Sequence, residues 1–252
     1  MKKPASKITP FSAQTVAFIG KAKKQKRPEW LDENKAEYEQ VIQNPMRALM
    51  EYAAKELKEE TKAYRFPLRN VARLRRSAER AAVAGPYRDW IGVSVSPDSK
   101  SRYDSLPNLY FHIDEEDVLS AGGLYMPSAG QTRNIRAWID HDPSRLDELF
   151  ADRKFKKFYP DFGRERVLKT KPRDYPLDHP RIDWLKLSGW YVWKGFTKKE
   201  FYSKEFPALL VEHWRQVLRL NKILNDYIIE MPKKTGIAAM PAFQAPKLDW
   251  ED

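Results

Sequence analysis

Apolar positions near the start of the chain recur three and four apart, the spacing of a helix with one buried side. Ser12 stands ahead of Val16, Phe18 and Ile19 as the cap of a first such helix. Pro28 opens a second at its first turn, where a missing N–H is harmless, and Trp30, Leu31, Tyr38, Val41 and Ile42 continue the stripe. Pro45 interrupts the stripe, and Met46, Leu49, Met50, Ala53 and Leu57 resume it. The pattern predicts a helical unit over residues 11–62.

Through the middle, residues 63–196, the period changes to two. Tyr64–Arg69, Trp90–Ser96, Asn108–Ile113 and Val118–Tyr125 alternate as strands do, and the last two are joined by the acidic turn Asp114–Asp117. Alternation with short connections predicts an antiparallel meander. Leu74–Ala84 has helix-forming composition and reads as a helical insertion between two strands. A helix follows from Ser128 or Gly130 through Ile135, Trp138 and Ile139. Asp142-Pro143 then supplies a cap and a first-turn proline for Leu146–Phe150. Asp178 or His179, with Pro180, repeats that device ahead of Ile182, Trp184, Leu185 and Leu187, and Gly189–Phe196 is a further strand. A long helix over 203–229 carries Leu209, Leu210, Trp214, Val217, Leu218 and Leu224 as its stripe. The tail, 231–252, has no period and is expected to be loosely ordered. The expected fold is one α+β domain over 1–230, with a mostly antiparallel central sheet flanked by N-terminal and C-terminal helices.

Charge and composition narrow the function. The 252 residues carry a net charge of +11, which favours anionic partners. Cysteine is absent, which removes disulfides, thiol nucleophiles and thiolate metal sites. The basic start lacks the apolar length of a signal segment, and no stretch approaches the ~20 apolar residues of a membrane span. A cytoplasmic protein without a membrane partner is expected. No phosphate-cradling glycine loop, dinucleotide fingerprint, HExxH or GxSxG motif occurs, and the four histidines never fall at chelating spacing within one helix. Neither a metal nor a cofactor is expected.

Positive signals are local. Gly122-Gly123 leads from a strand towards a helix whose first turns hold Arg133 and Arg136. That is an arrangement for an anion, or equally a close crossing of chains. Arg65, Arg69 and Arg73 fall on one side of an extended strand. Gly85-Pro86-Tyr87-Arg88-Asp89-Trp90 delivers an aromatic, a cation and an acid into a strand. Lys169, Lys171, Arg173, Asp178 and His179 sit in a proline-stiffened connector, which serves either as a helix entrance or as an anion-binding edge.

Taken together, these stretches resemble the bacterial and fungal conserved hypothetical family called domain of unknown function 2461. The matching pieces run in order from about Phe11 to Tyr227. They are Glu29-Trp30-Leu31-Asp32 with Tyr38, Arg69-Asn70-Val71-Ala72-Arg73, Gly85-Pro86-Tyr87-Arg88 and Leu109-Tyr110-Phe111-His112-Ile113. Gly122-Gly123-Leu124-Tyr125-Met126-Pro127 with Arg136, Leu168-Lys169-Thr170-Lys171-Pro172-Arg173 and Asp178-His179-Pro180 complete them. The chain departs from the family pattern at Asn70, where an aspartate is usual, and at Val83-Ala84-Gly85-Pro86-Tyr87-Arg88, where the pattern is Asp-Lys-x-Pro-Tyr-Lys. The resemblance implies an α+β fold and carries no established reaction.

The sequence thus predicts a cleft for an anionic small molecule bearing phosphate or carboxylate, with hydrolysis as the reaction such a cleft could carry. Arg69, Arg73, Arg88, Arg136, Lys169 and Arg173 would supply charge, with Tyr87 and Gly123 as further ligand contacts and His112 and His179 as proton-handling groups. Two other readings stand beside it. Nonspecific nucleic-acid binding would use the Lys21–Arg27 run with Arg75, Arg76 and Arg80, and an interaction scaffold would use the tail from Met231.

Overall fold

The computed structural model describes residues 11–69, 71–97 and 105–229, so the tail lies outside the described residues, as does Asn70. In chain order the N-terminal unit is α1 (Ala13–Lys23), α2 (Trp30–Glu33), α3 (Lys35–Tyr38), a π-helical turn (Glu39–Gln43) and α4 (Asn44–Glu56). Ser12 caps α1, its hydroxyl accepting from the Gln14 and Thr15 N–H groups while Thr15 reaches back to Ser12 N. The interruption expected at Pro45 is the π turn. It lets the chain change face while Val41, Ile42, Met46 and Leu49 all stay buried.

The sheet follows, with β1 (Tyr64–Arg65), then α5 (Ala78–Ala84), β2 (Trp90–Pro97), β3 (Asn108–Asp114) and β4 (Val118–Leu124). After it come α6 (Ala129–His141), α7 (Ser144–Ala151), α8 (Arg153–Phe158), α9 (Ile182–Leu185), β5 (Trp190–Gly195), α10 (Lys198–Phe201) and α11 (Phe206–Ile229). The strands form a five-stranded antiparallel meander in the order β1-β2-β3-β4-β5, so the fold is α+β as expected. One expectation fails here. Pairing of β1 stops at Arg65, short of Pro67, so no common strand side carries Arg65, Arg69 and Arg73.

Strict alternation decides which side of the sheet is covered. Ile91, Val93 and Val95 of β2 and Leu109, Phe111 and Ile113 of β3 are buried, and α1 and α11 lie against β3, with α11 also against β4. Phe206 of α11 lies 5.5 Å from Phe111, Phe11 lies 6.3 Å from it, and Trp214 Nε1 donates to the Tyr110 carbonyl at 3.3 Å. α11 can approach so closely because Gly122 has no side chain, and a Cβ there would strike Val217 and the Asn108 carbonyl. Gly123, at φ 112°, takes a backbone conformation that only glycine adopts readily, pressed against the Trp190 carbonyl. The paired glycines are therefore a close crossing of chains. The opposite side of the sheet holds Trp90, Ser94, Asn108, Tyr110, His112, Leu119, Ala121 and Trp193, half-buried or exposed.

The other departures are matters of length. Within the expected Leu74–Ala84 helix only Ala78–Ala84 is helical, ended by Gly85 at φ 77°. The helix after Pro180 is a single turn, and α8 and α10, capped by Asp152 and Thr197, were not anticipated. Across 24 residues α11 joins these parts, stacking Tyr227 on Trp138 at 4.8 Å and burying His213 among Phe158, Tyr159 and Phe196.

Burial there, with Lys194 adding, holds the His213 imidazole down from its usual 6.5 to about 4. Between those values the unfolded chain binds a proton that the folded chain does not, so stability falls as pH drops through that window. We expect a loss of about 2 kcal/mol between pH 7 and pH 5, read from urea midpoints, with the slope reduced in His213→Leu. An unchanged slope in that variant would show that His213 is not the group responsible.

Candidate functional site

Residues 74–88 form an arm that leaves the body and returns. Its two legs pair through Arg76 N–H to the Pro86 carbonyl at 2.8 Å and Arg88 N–H to the Leu74 carbonyl at 2.9 Å, and α5 is its tip. Tyr87 pins the arm down. It is 3% exposed, and its hydroxyl donates to the Pro28 carbonyl at 2.6 Å and accepts from Leu31 N–H at 2.9 Å. Between the arm and α2–α4 lies a groove of about 480 Å³ lined by Arg73, Arg75, Arg76, Arg80 and Arg88 with Tyr38 and Gln43. Arg75 is shared with Asp32 at 2.8 Å, and Arg76 bonds the Ala84 carbonyl at 3.0 Å and lies 3.7 Å from Asp89. Among the described residues Arg73, Arg80 and Arg88 have no carboxylate partner.

Arg88 also stands over the Trp90 ring at 4.8 Å, and Trp90, which lines a second hollow, stacks on His112 at 5.3 Å. This second hollow, about 710 Å³, lies on the uncovered side of the sheet. Small residues make its floor (Ser94, Ala121, Gly122, Gly123, Gly195), and Trp90, Tyr110, Tyr125, Tyr191 and Trp193 make its aromatic walls. Tyr125 meets Tyr191 edge-on at 4.9 Å, with Arg166 over its ring at 5.2 Å, and the Tyr191 hydroxyl donates to Glu165. Burial first, then that carboxylate, raises the Tyr191 phenol above its ordinary value.

Into this hollow faces a chain of polar groups from one strand, with Tyr110 and His112 lining it. Tyr110, His112 and Asp114 are two apart on β3 and so share a side. The Tyr110 hydroxyl lies 3.1 Å from His112 Nδ1, and His112 Nε2 lies 3.0 Å from Asp114 Oδ2. Asp114 is itself held by Glu116 N–H at 2.8 Å and Asp117 N–H at 2.6 Å, both on Oδ1. Burial alone would raise the Asp114 carboxyl, but the hydrogen bonds from Asp117, His112 and Glu116 outweigh it and keep it below the ordinary range. An ionised Asp114 puts the imidazole proton on Nε2 and leaves Nδ1 to accept from Tyr110. Burial pushes the Tyr110 phenol up to about 12, against the pull of Arg88 and with help from Asp114, so at neutral pH it holds its proton. A proton arriving at Oη can displace the phenol's own proton onto Nδ1, with Asp114 balancing the imidazolium.

The sequence model of the family described as conserved hypothetical protein, DUF2461, matches residues 14–222. The chain belongs to that family. No curated protein and no solved structure matches it.

The residues singled out from the DUF2461 sequence fall in several places. Arg73 and Arg88 meet in the arm groove, beside Arg75, Arg76 and Arg80. His112 and Gly123 line the sheet-side hollow. Tyr87 lines neither, being buried as the anchor of the arm. Arg136 and His179 sit together elsewhere, against the connector. Arg136 donates to the Leu187 carbonyl at 3.1 Å, and His179 accepts Arg181 N–H on Nδ1 at 2.9 Å and faces Asp140 at 3.3 Å. Burial lowers the Arg136 guanidinium, partly offset by Tyr175 and Asp174. His179 thus shapes the entrance to α9. Arg69, Lys169 and Arg173 are exposed and line neither hollow.

Sequence reasoning missed Tyr110 and Asp114, although their spacing about His112 was a usable signal. Glu165 and Tyr125 come from loops whose approach no local pattern announces. Tyr87→Phe leaves the Leu31 N–H without its acceptor, and we expect it to lower stability by about 1–3 kcal/mol and to raise hydrogen exchange first in the arm. Exchange that stays unchanged at Leu74–Arg88 would mean that Tyr87 does not hold the arm.

Proposed function

We propose that the chain binds a small planar anion on the uncovered side of the sheet and transfers a proton on it, with ester hydrolysis as the reaction class. The observation that carries this reading is that Tyr110 and His112 line an aromatic-walled hollow of ligand size, with Asp114 bonded to His112 behind them. Planar groups fit between Trp90 and Trp193, and the negative group belongs at the Arg88 end, since Asp117 and Glu165 line the rest. In hydrolysis Tyr110 Oη accepts a proton from the attacking water as its own proton passes to His112 Nδ1. Return of that proton through the same oxygen protonates the leaving group.

4-Nitrophenyl phosphate is a planar, anionic probe of this reading. It is expected to quench tryptophan fluorescence and to be hydrolysed. Ala121→Phe, which fills the floor, is expected to abolish quenching and turnover together. Tyr110→Phe and His112→Asn are expected to keep the quenching and lose at least ~100-fold in kcat. Equal quenching in wild type and Ala121→Phe would remove the site, and unchanged kcat in both relay variants would remove the proton transfer.

A further inference from the structure

We propose that the groove beneath the 74–88 arm is a second binding site, for a compact anion with adjacent phosphate groups. Guanidinium groups enter it from separate pieces of chain: Arg73 and Arg75 from the outgoing leg, Arg80 from the tip, Arg88 from the return. Three of them, Arg73, Arg80 and Arg88, have no carboxylate partner among the described residues. Their planar, two-pronged donors match phosphate oxygens, and several set around one groove suit neighbouring phosphates better than a lone anion. Volume agrees, since about 480 Å³ is the size of a small-molecule site.

The groove is also prearranged. The paired legs fix the backbone, Tyr87 ties it to Pro28 and Leu31, and Arg76 closes the tip by bonding the Ala84 and Gly85 carbonyls. A site whose backbone is already ordered loses less entropy when it binds.

The same phosphate chemistry is offered by a free oligophosphate and by a nucleic-acid backbone, and charge placement favours the first. A nucleic-acid track needs cations continuing along the surface. The basic run before Pro28 does not continue it, because Lys21, Lys23 and Arg27 are paired with Glu37, Glu115 and Glu33 at 3.2, 3.4 and 2.6 Å. That run is thus largely offset by carboxylates, whereas Arg73, Arg80 and Arg88 gather around a single groove.

Calorimetric titration of the full chain with inorganic tripolyphosphate, and separately with single-stranded oligothymidylate, tests this. Tripolyphosphate is expected to bind at one site, at least tenfold more weakly to Arg73→Gln/Arg80→Gln, both exposed residues whose loss leaves the fold intact. Tyr110→Phe, which disables the sheet-side relay, is expected to leave that affinity unchanged, so either reading can fail without the other. Oligothymidylate binding should be weaker per phosphate than tripolyphosphate binding. The inference is overturned by absent tripolyphosphate binding at low salt, or by equal affinity in the double variant. It is likewise overturned if oligothymidylate binds more tightly and is weakened as much by Lys24→Gln/Lys26→Gln, outside the groove, as by the groove variant.

Discussion

The two-residue period of β3 is the constraint on which the rest depends. Leu109, Phe111 and Ile113 go under α1 and α11, which among the described residues lie against this side of the strand. Once they do, Tyr110, His112 and Asp114 have to stand on the other side, in line and two apart. A slip of one residue in register would bury an imidazole and a carboxylate and expose a phenylalanine, a change no local rearrangement could absorb. Hydrophobic burial on one side of the strand therefore aligns the polar chain on the other. The hydrogen bonds among its members then fix the tautomer of His112.

Small residues act on both sides of the same strands. Gly122 lets α11 settle against β4, which draws the helix close enough for Trp214 to bond the Tyr110 carbonyl. On the uncovered side Ala121, Gly123 and Gly195 leave a floor without side-chain bulk between aromatic walls. Packing on one side and emptiness on the other are served by one run of sequence, Ala121-Gly122-Gly123. A larger residue at Gly122 or Gly123 would act on fold and hollow together.

Much of this was legible in the sequence. Period two marked β2 through β5, and Ser12, Ser128 and Asp142 marked helix starts that the structure keeps, because a side-chain oxygen beside free backbone N–H groups is a local device. Features that depend on distant contact were not legible. Arg69 and Arg73 looked like neighbours on a strand, but β1 ends at Arg65 and the chain turns into the arm, so Arg73 meets Arg88 across its legs instead. His179 lies in a stretch dense with charge, yet its Nδ1 serves the Arg181 N–H and the opposite edge of the ring faces Asp140. Tyr87 looked like a ligand contact because an aromatic beside a cation is common at sites, and only the approach of α2 shows its hydroxyl to be an anchor. The DUF2461 pieces mark parts of each region without stating which of them share a hollow.

Arg88 lines the arm groove and stands over Trp90, which lines the sheet-side hollow. Its guanidinium lies 4.8 Å from the Trp90 ring centre, and its charge reaches Tyr110. Among the described residues Arg73, Arg80 and Arg88 of the arm groove have no carboxylate partner, and Arg75 and Arg76 face Asp32 and Asp89, whereas Asp117 and Glu165 line the sheet side. For an anion the groove is thus the more favourable side, and on the sheet side favourable charge is confined to the reach of Arg88. A ligand anion resting against Arg88 would also offset the pull that this cation exerts on the Tyr110 phenol, raising the phenol further and holding its proton more firmly.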